Sequence, residues 1–148
     1  MEFRKATLED IETLVELRKQ QLIDEGSPVL QNIDTELKDY FNRTLADNSF
    51  ISWLALEDNV IVATSGLCFY QLPPTYFNSS GNNAYVTNMF TLKAYRRRGI
   101  ASVLLEKTLF EARSLGFSVV RLHASSDGQG LYSKFGFVQT DGYMALKF

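Results

Sequence analysis

The sequence predicts an α/β chain of the α+β type: a mixed, mostly antiparallel central sheet with helices on both faces. Three observations predict it. Apolar periodicity gives the element order β-α-α-β-β-β-α-β-α-β-β. Two strand-like runs separated by Glu57-Asp58-Asn59 read as an antiparallel hairpin. The strand–helix–strand run from Ala84 to Ala124 is long enough for a right-handed crossover to a parallel neighbour. The chain has 148 residues, which suits one domain spanning residues 1–148.

Glu2 to Lys5 is a short edge strand. Thr7 is an N-cap, with Asp10 three residues on in a capping-box relation. Leu8, Ile11, Leu14, Val15, Leu17 and Leu22 form a helical apolar stripe to about Asp24, where Glu25-Gly26-Ser27-Pro28 breaks it. Asp34 is read as the cap of a second helix, with Leu37, Tyr40, Phe41 and Leu45 on one face. Asp47-Asn48-Ser49 ends that helix. Phe50 to Leu56 and Val60 to Tyr70 are strands. Leu72 to Gly81 is a loop, because its two prolines bar a central strand. Ala84 to Leu92 is the next strand, and a helix follows to about Leu115, with Gly116 as its C′ residue. Ser118 to Ala124 is a further strand, and Ser125 to Gly130 is small and flexible. Leu131 to Phe135 is a short helix closed by Gly136. Phe137 to Gln139 and Tyr143 to Leu146 are read as two last strands about Asp141-Gly142.

Composition excludes several classes of function. Apolar residues make up 45% and charged residues 22%, the balance of a soluble globular protein. A formal net charge of −2 provides no global field towards nucleic acid or an anionic membrane. No apolar run approaches the roughly 20 residues that span a bilayer. One cysteine, Cys68, rules out an internal disulfide, and a single histidine beside it leaves no Cys/His metal site. The expected setting is reducing and cytoplasmic.

The positive charge is concentrated between Lys93 and Arg98. Arg96-Arg97-Arg98-Gly99-Ile100-Ala101 joins the end of a strand to the start of a helix. There the first backbone N–H groups lack intrahelical partners and the macrodipole is positive. Gly99 has no Cβ, so a ligand can approach the backbone, and arginine carries forked donors suited to phosphate. The segment has the makings of a pyrophosphate cradle.

At Arg96-x-x-Gly99-x-Ala101 the chain resembles the GCN5-related N-acetyltransferases, whose pyrophosphate motif reads Gln/Arg-x-x-Gly-x-Gly/Ala. Leu131-Tyr132-x-x-x-Gly136-Phe137 resembles a second signature of that superfamily, and the element order fits along nearly the whole chain. The resemblance implies a sheet opened by a splayed parallel pair and an acetyl transfer from acetyl-CoA to a primary amine. It implies backbone pairing of Phe90 and Thr91 with the pantetheine arm. The N–H groups of Arg96, Arg97, Arg98, Gly99, Ile100, Ala101 and Ser102 would hold the pyrophosphate. Ser125 stands where many members carry an asparagine directed at pantetheine. Tyr132 is implied as the general acid for the departing thiolate, with no acyl-enzyme and no metal.

The general base is left open by the sequence. Asn88 can orient the amine or a water but cannot accept a proton. Asp24, Glu25, Glu36 and Asp39 are carboxylate candidates, and His123 is a strand residue with a suitable ring. Cys68 reads as a small buried hydrophobe, and Tyr76 and Phe77 as an acceptor wall or a packed lid. Gly128 and Gly130 mark close approach or a flexible loop. The expected partner is a small-molecule or peptide amine, with neither nucleic acid nor membrane, and a homodimer is compatible with the last strands. The rival reading is a non-catalytic CoA-binding sensor or regulatory module.

Overall fold

The computed structural model describes every residue except position 141. Five strands form one sheet in the order β1 (Glu2–Lys5), β2 (Phe50–Glu57), β3 (Val60–Gln71), β4 (Asn82–Thr91) and β5 (Val120–Arg121). Neighbours from β1 to β4 are antiparallel, and β4 pairs with β5 in parallel. The helices are α1 (Ile11–Asp24), α2 (Asp34–Ala46), α3 (Ile100–Ser114) and α4 (Gln129–Lys134).

Strand alternation explains why both faces are covered. Phe50, Leu54 and Leu56 of β2 meet Ile11, Leu14 and Val15 of α1 and Phe41 of α2. Ala55, on the opposite face, packs with Val62 and Ala63 of β3 against Ile100 and Leu104 of α3. A third cluster joins Leu67, Ala84 and Val86 to Leu105 and Ala112 of α3 and to Tyr132 of α4. Each fully buried Leu in these layers contributes roughly 1.5–3 kcal/mol of apolar transfer. Among the described residues, no helix is long and apolar enough to cross a membrane.

The capping box forms as read: the Thr7 hydroxyl accepts from the Glu9 N–H, and the Thr7 N–H donates to Asp10 Oδ2 at 2.8 Å. Arg4 donates to both Asp10 oxygens at 2.8 Å, and this pairing holds the carboxyl below its usual range. Asp34 does not cap α2. It is the first helical residue, and its N–H donates to Asn32 Oδ1 at 2.8 Å, so the acceptor belongs to the residue two places earlier.

Two expectations at the C-terminal end need correction. The strand read over Ser118–Ala124 contracts to Val120–Arg121, paired only as Ala84↔Val120 and Tyr85↔Arg121. Phe137–Gln139 and Tyr143–Leu146 are not strands, and position 141 of the turn read between them lies outside the described residues. The reason is shared. A strand exists only where a neighbouring ladder accepts it, and apart from Val120–Arg121 these segments have none among the described residues, so Val138, Tyr143 and Leu146 stay largely exposed.

Candidate functional site

Because β5 pairs with β4 at only two positions, the flank of β4 from Val86 to Thr91 is left open. A cleft of about 980 Å³ occupies that gap. Its walls come from β4, the C-terminal half of α1, the arginine turn and the segment from His123 to α4. The gap is shaped by a bulge. Between the pairs Thr64↔Phe90 and Gly66↔Thr87 the register shifts, and Asn88 takes a left-handed φ of 51°. The Thr64 hydroxyl donates to the Asn88 carbonyl at 2.5 Å, and the Thr87 hydroxyl donates to Asn88 Oδ1 at 3.2 Å. Asn88 is thereby buried at the cleft with its backbone kinked, as are few residues other than Asn or Gly.

The arginine turn carries two left-handed residues, Arg97 at φ 60° and Gly99 at φ 78°. Alternating handedness of this kind gathers successive N–H groups into an anion-binding nest. Gly99 is the N-cap of α3, and nothing lies within 4 Å of the place its Cβ would occupy. Among the described residues, the N–H groups of Arg97, Arg98, Gly99, Ile100 and Ala101 have no partner within the chain. The two outer N–H groups of the expected cradle are occupied: Arg96 donates to the Lys93 carbonyl at 3.4 Å and Ser102 to the Gly99 carbonyl at 3.1 Å.

The three arginine side chains differ in role. Arg96 donates through Nε to the Thr91 carbonyl at 2.9 Å and through Nη2 to Asp24 at 2.7 Å, and it lies over the Phe90 ring. Lys93 adds a second cation to Asp24 at 3.3 Å. Hydrogen bonds from Arg96 and then Lys93 hold the Asp24 carboxyl below its ordinary range. Arg98 grips Glu57 with both nitrogens, stacks over Tyr95 and does not line the cleft. Arg97 lines the cleft and, among the described residues, has no carboxylate partner. Arg96 and Arg98 therefore fasten the turn to α1 and β2, while Arg97 presents free charge.

Tyr132 is 8% exposed and faces the cleft from α4. Burial, reinforced by the charges of Glu25 and Tyr85, pushes its phenol up to about 12. A Cβ on Gly128 would stand 2.7 Å from Tyr132 Cε2, so the ring lies against a residue that must have no side chain. Gly130 has nothing within 4 Å of its Cβ position. Gly128→Ala is therefore expected to displace the ring and lower turnover about tenfold or more, with Gly130→Ala near wild type. Steady-state assays of the two variants check this. Ser125 lines the cleft, and its hydroxyl accepts from the Gly128 N–H at 3.3 Å.

The remaining candidates separate cleanly. Phe90, Thr91 and Glu25 line the cleft, whereas Glu36 and Asp39 on α2 do not. His123 faces the cleft and hydrogen-bonds Tyr85 through Nδ1. Tyr76 and Phe77 are fully exposed and form neither wall nor lid. Cys68 is half-buried in the α1/α2 layer, and burial pushes its thiol up. Tyr85, Arg18 and Gln21 are among the cleft residues that escaped the sequence reading. Tyr85 shares its β4 face with Thr87, and Arg18 and Gln21 lie on the side of α1 that continues to its C-cap, Glu25. Those spacings were visible, but nothing in the sequence says that this side of α1 borders the gap.

Known proteins share this fold. The family model described as "Acetyltransferase (GNAT) family" matches residues 11–137. A crystal structure of a predicted acetyltransferase with acetyl-CoA from Clostridium acetobutylicum is similar at a TM-score of 0.95 and 42% identity, covering 99% of this chain and 95% of that one. A GCN5-related N-acetyltransferase from Ralstonia eutropha JMP134 matches at a TM-score of 0.90 and 25% identity, covering 99% and 97%. A curated Bacillus subtilis (strain 168) protein named as a presumed acetyltransferase is 27% identical over 139 residues, 93% of this chain and 83% of its own length.

Proposed function

The chain belongs to the acetyltransferase (GNAT) family, and on that premise we propose that it moves an acetyl group from acetyl-CoA to a primary amine by direct attack. The observation that supports this most is the meeting, on one cleft, of an amide nest at Gly99 and the buried phenol of Tyr132. The unpartnered N–H groups from Arg97 to Ala101, with the charge of Arg97, fit a diphosphate. The open flank of β4 at Phe90 and Thr91, and the Ser125 hydroxyl, fit an extended amide-bearing arm. The bound thioester supplies the acetyl carbon.

The attacking nitrogen gives up two protons in all. Glu25 accepts the first, because its carboxylate faces the cleft while Asp24 is held by Arg96 and Lys93. The second ends on the sulfur. Asn88 orients the nitrogen from the bulge, and the β4 N–H groups polarise the carbonyl as it gains charge. Tyr132 is the general acid. A phenol near 12 keeps its proton throughout the neutral range. Full transfer to a thiolate with a pKa of about 8.5 runs uphill by roughly 5 kcal/mol on its own, so Tyr132 gives its proton to the sulfur as it takes the second proton from the nitrogen, and the phenol ends as it began.

The test is thiol release from acetyl-CoA with a panel of primary amines. Amine-dependent release with N-acetylated product supports the reading, and binding of acetyl-CoA without release for any amine contradicts it. A second prediction concerns the cradle. Arg97→Gly removes free charge and suits the left-handed backbone, so acetyl-CoA affinity is expected to fall about tenfold with the fold intact. Arg98→Ala is expected to change affinity less and stability more. Calorimetry and thermal melts of both variants check the split.

A further inference from the structure

Arg18 and Gln21 of α1 and Glu25, which caps its C-terminus, form one row on the cleft side. Gln21 is 6% exposed and is used at both ends of its amide. Its Oε1 accepts from Arg18 Nη1 at 3.1 Å, and its Nε2 donates to Glu25 Oε1 at 3.0 Å. At about 1.5 Å of rise per residue the Cα atoms of Arg18 and Glu25 stand roughly 10.5 Å apart along the helix. The side chains converge on Gln21, so one amide and two hydrogen bonds separate the charged heads. Among the described residues, Arg18 has no carboxylate in ion-pair range and Glu25 no cation, in contrast to Asp24. The two charges also reach different parts of the cleft. Glu25 opposes ionisation of Tyr132, and Arg18 favours ionisation of Tyr85.

An unneutralised cation and an unneutralised anion, fixed by a buried amide and facing one cavity, call for a ligand of the opposite layout. We infer that the acceptor is a zwitterion, an amino acid whose ammonium lies against Glu25 beside Tyr132 and whose carboxylate lies against Arg18. This rests on the acetyl-transfer reading and narrows its substrate class. The N–C bond forms at the nitrogen held by Glu25 and the C–S bond breaks beside Tyr132. Glu25 takes one proton from the nitrogen, the sulfur receives the other, and the carboxylate takes no part in the chemistry. Arg18 is a positioning and specificity residue. The short span between the two heads favours acceptors with one to a few carbons between ammonium and carboxylate.

The experiment pairs zwitterions with amines that lack the carboxylate. Glycine, β-alanine, 4-aminobutyrate, 5-aminovalerate and L-leucine are compared with methylamine, ethylamine, propylamine, butylamine and isopentylamine, in thiol release at saturating acetyl-CoA. Phosphoethanolamine is included as a phosphate-bearing arm. At least one zwitterion is expected to exceed its amine partner tenfold or more in kcat/KM, mostly through KM. Arg18→Gln is expected to collapse that ratio towards one, and Arg18→Lys to retain part of it. Ratios near one in the wild type, a ratio that survives Arg18→Gln, or a preference for phosphoethanolamine over every carboxylate overturns the inference. Simple amines acetylated as well as the zwitterions leave acetyl transfer standing and remove only this inference. No release with any amine, in protein that binds acetyl-CoA, removes both.

Discussion

Tyr132→Phe is expected to lower kcat by about a hundredfold while acetyl-CoA affinity stays within about twofold of wild type. The substitution removes one oxygen and keeps the ring that packs edge-on to Phe137 at 5.9 Å. Among the described residues, that phenol has no hydrogen-bond partner, so folding loses little when the oxygen goes. The effect falls on the step in which sulfur becomes negative, where positioned acid catalysis is worth about 10²–10⁴-fold. A KM change without a kcat change places the phenol in binding instead. An alkaline signature accompanies it. The folded state favours the protonated phenol, raised from 10.0 to about 12. Its stabilisation is therefore complete below the unfolded value and is lost as pH rises through the folded one. Wild type is expected to lose more stability than Tyr132→Phe between about pH 10 and pH 12, which melts at graded pH would show.

Gly99→Val is expected to weaken acetyl-CoA binding by at least about a hundredfold. No protein atom lies within 4 Å of the added Cβ position, so the new side chain fills space that a ligand needs rather than colliding with the core. A β-branched residue at φ 78° also strains the turn by about 1–3 kcal/mol. That strain tilts the N–H groups away from their shared focus. It is small beside the two-sided packing of α3, whose Leu104 and Leu105 are fully buried, so the variant is expected to stay folded. Gly99→Ala should fall between the two. Titration calorimetry and thermal melts separate lost affinity from lost structure.

What could be read in the sequence was whatever local periodicity or local chemistry dictates. The apolar stripe of α1, the Thr7–Asp10 capping box, the hairpin at Glu57-Asp58-Asn59 and the start of α3 at Gly99 all depend on residues a few places apart. The length of the strand–helix–strand run gave the crossover, and the family signatures gave the gap in the sheet. The failures share a different cause. Whether Ser118–Ala124 and Tyr143–Leu146 become strands depends on a partner ladder, which period-2 alternation does not reveal. Arg96, Arg97 and Arg98 are indistinguishable as letters. Only the fold brings Asp24 to the first and Glu57 to the third, leaving the middle one free. The row of Arg18, Gln21 and Glu25 was hidden likewise, because its meaning lies in what α1 faces.

The account stands on the diphosphate being held by the amide nest at Gly99. The most direct measurement compares calorimetric affinities of acetyl-CoA and acetyl-pantetheine, which lacks the nucleotide and diphosphate, for wild type and Gly99→Val. Wild type should bind acetyl-CoA at least a hundredfold more tightly than acetyl-pantetheine, and that advantage should nearly vanish in Gly99→Val while pantetheine affinity barely moves. Equal affinity of wild type for the two ligands, or an undiminished advantage in the variant, would contradict it.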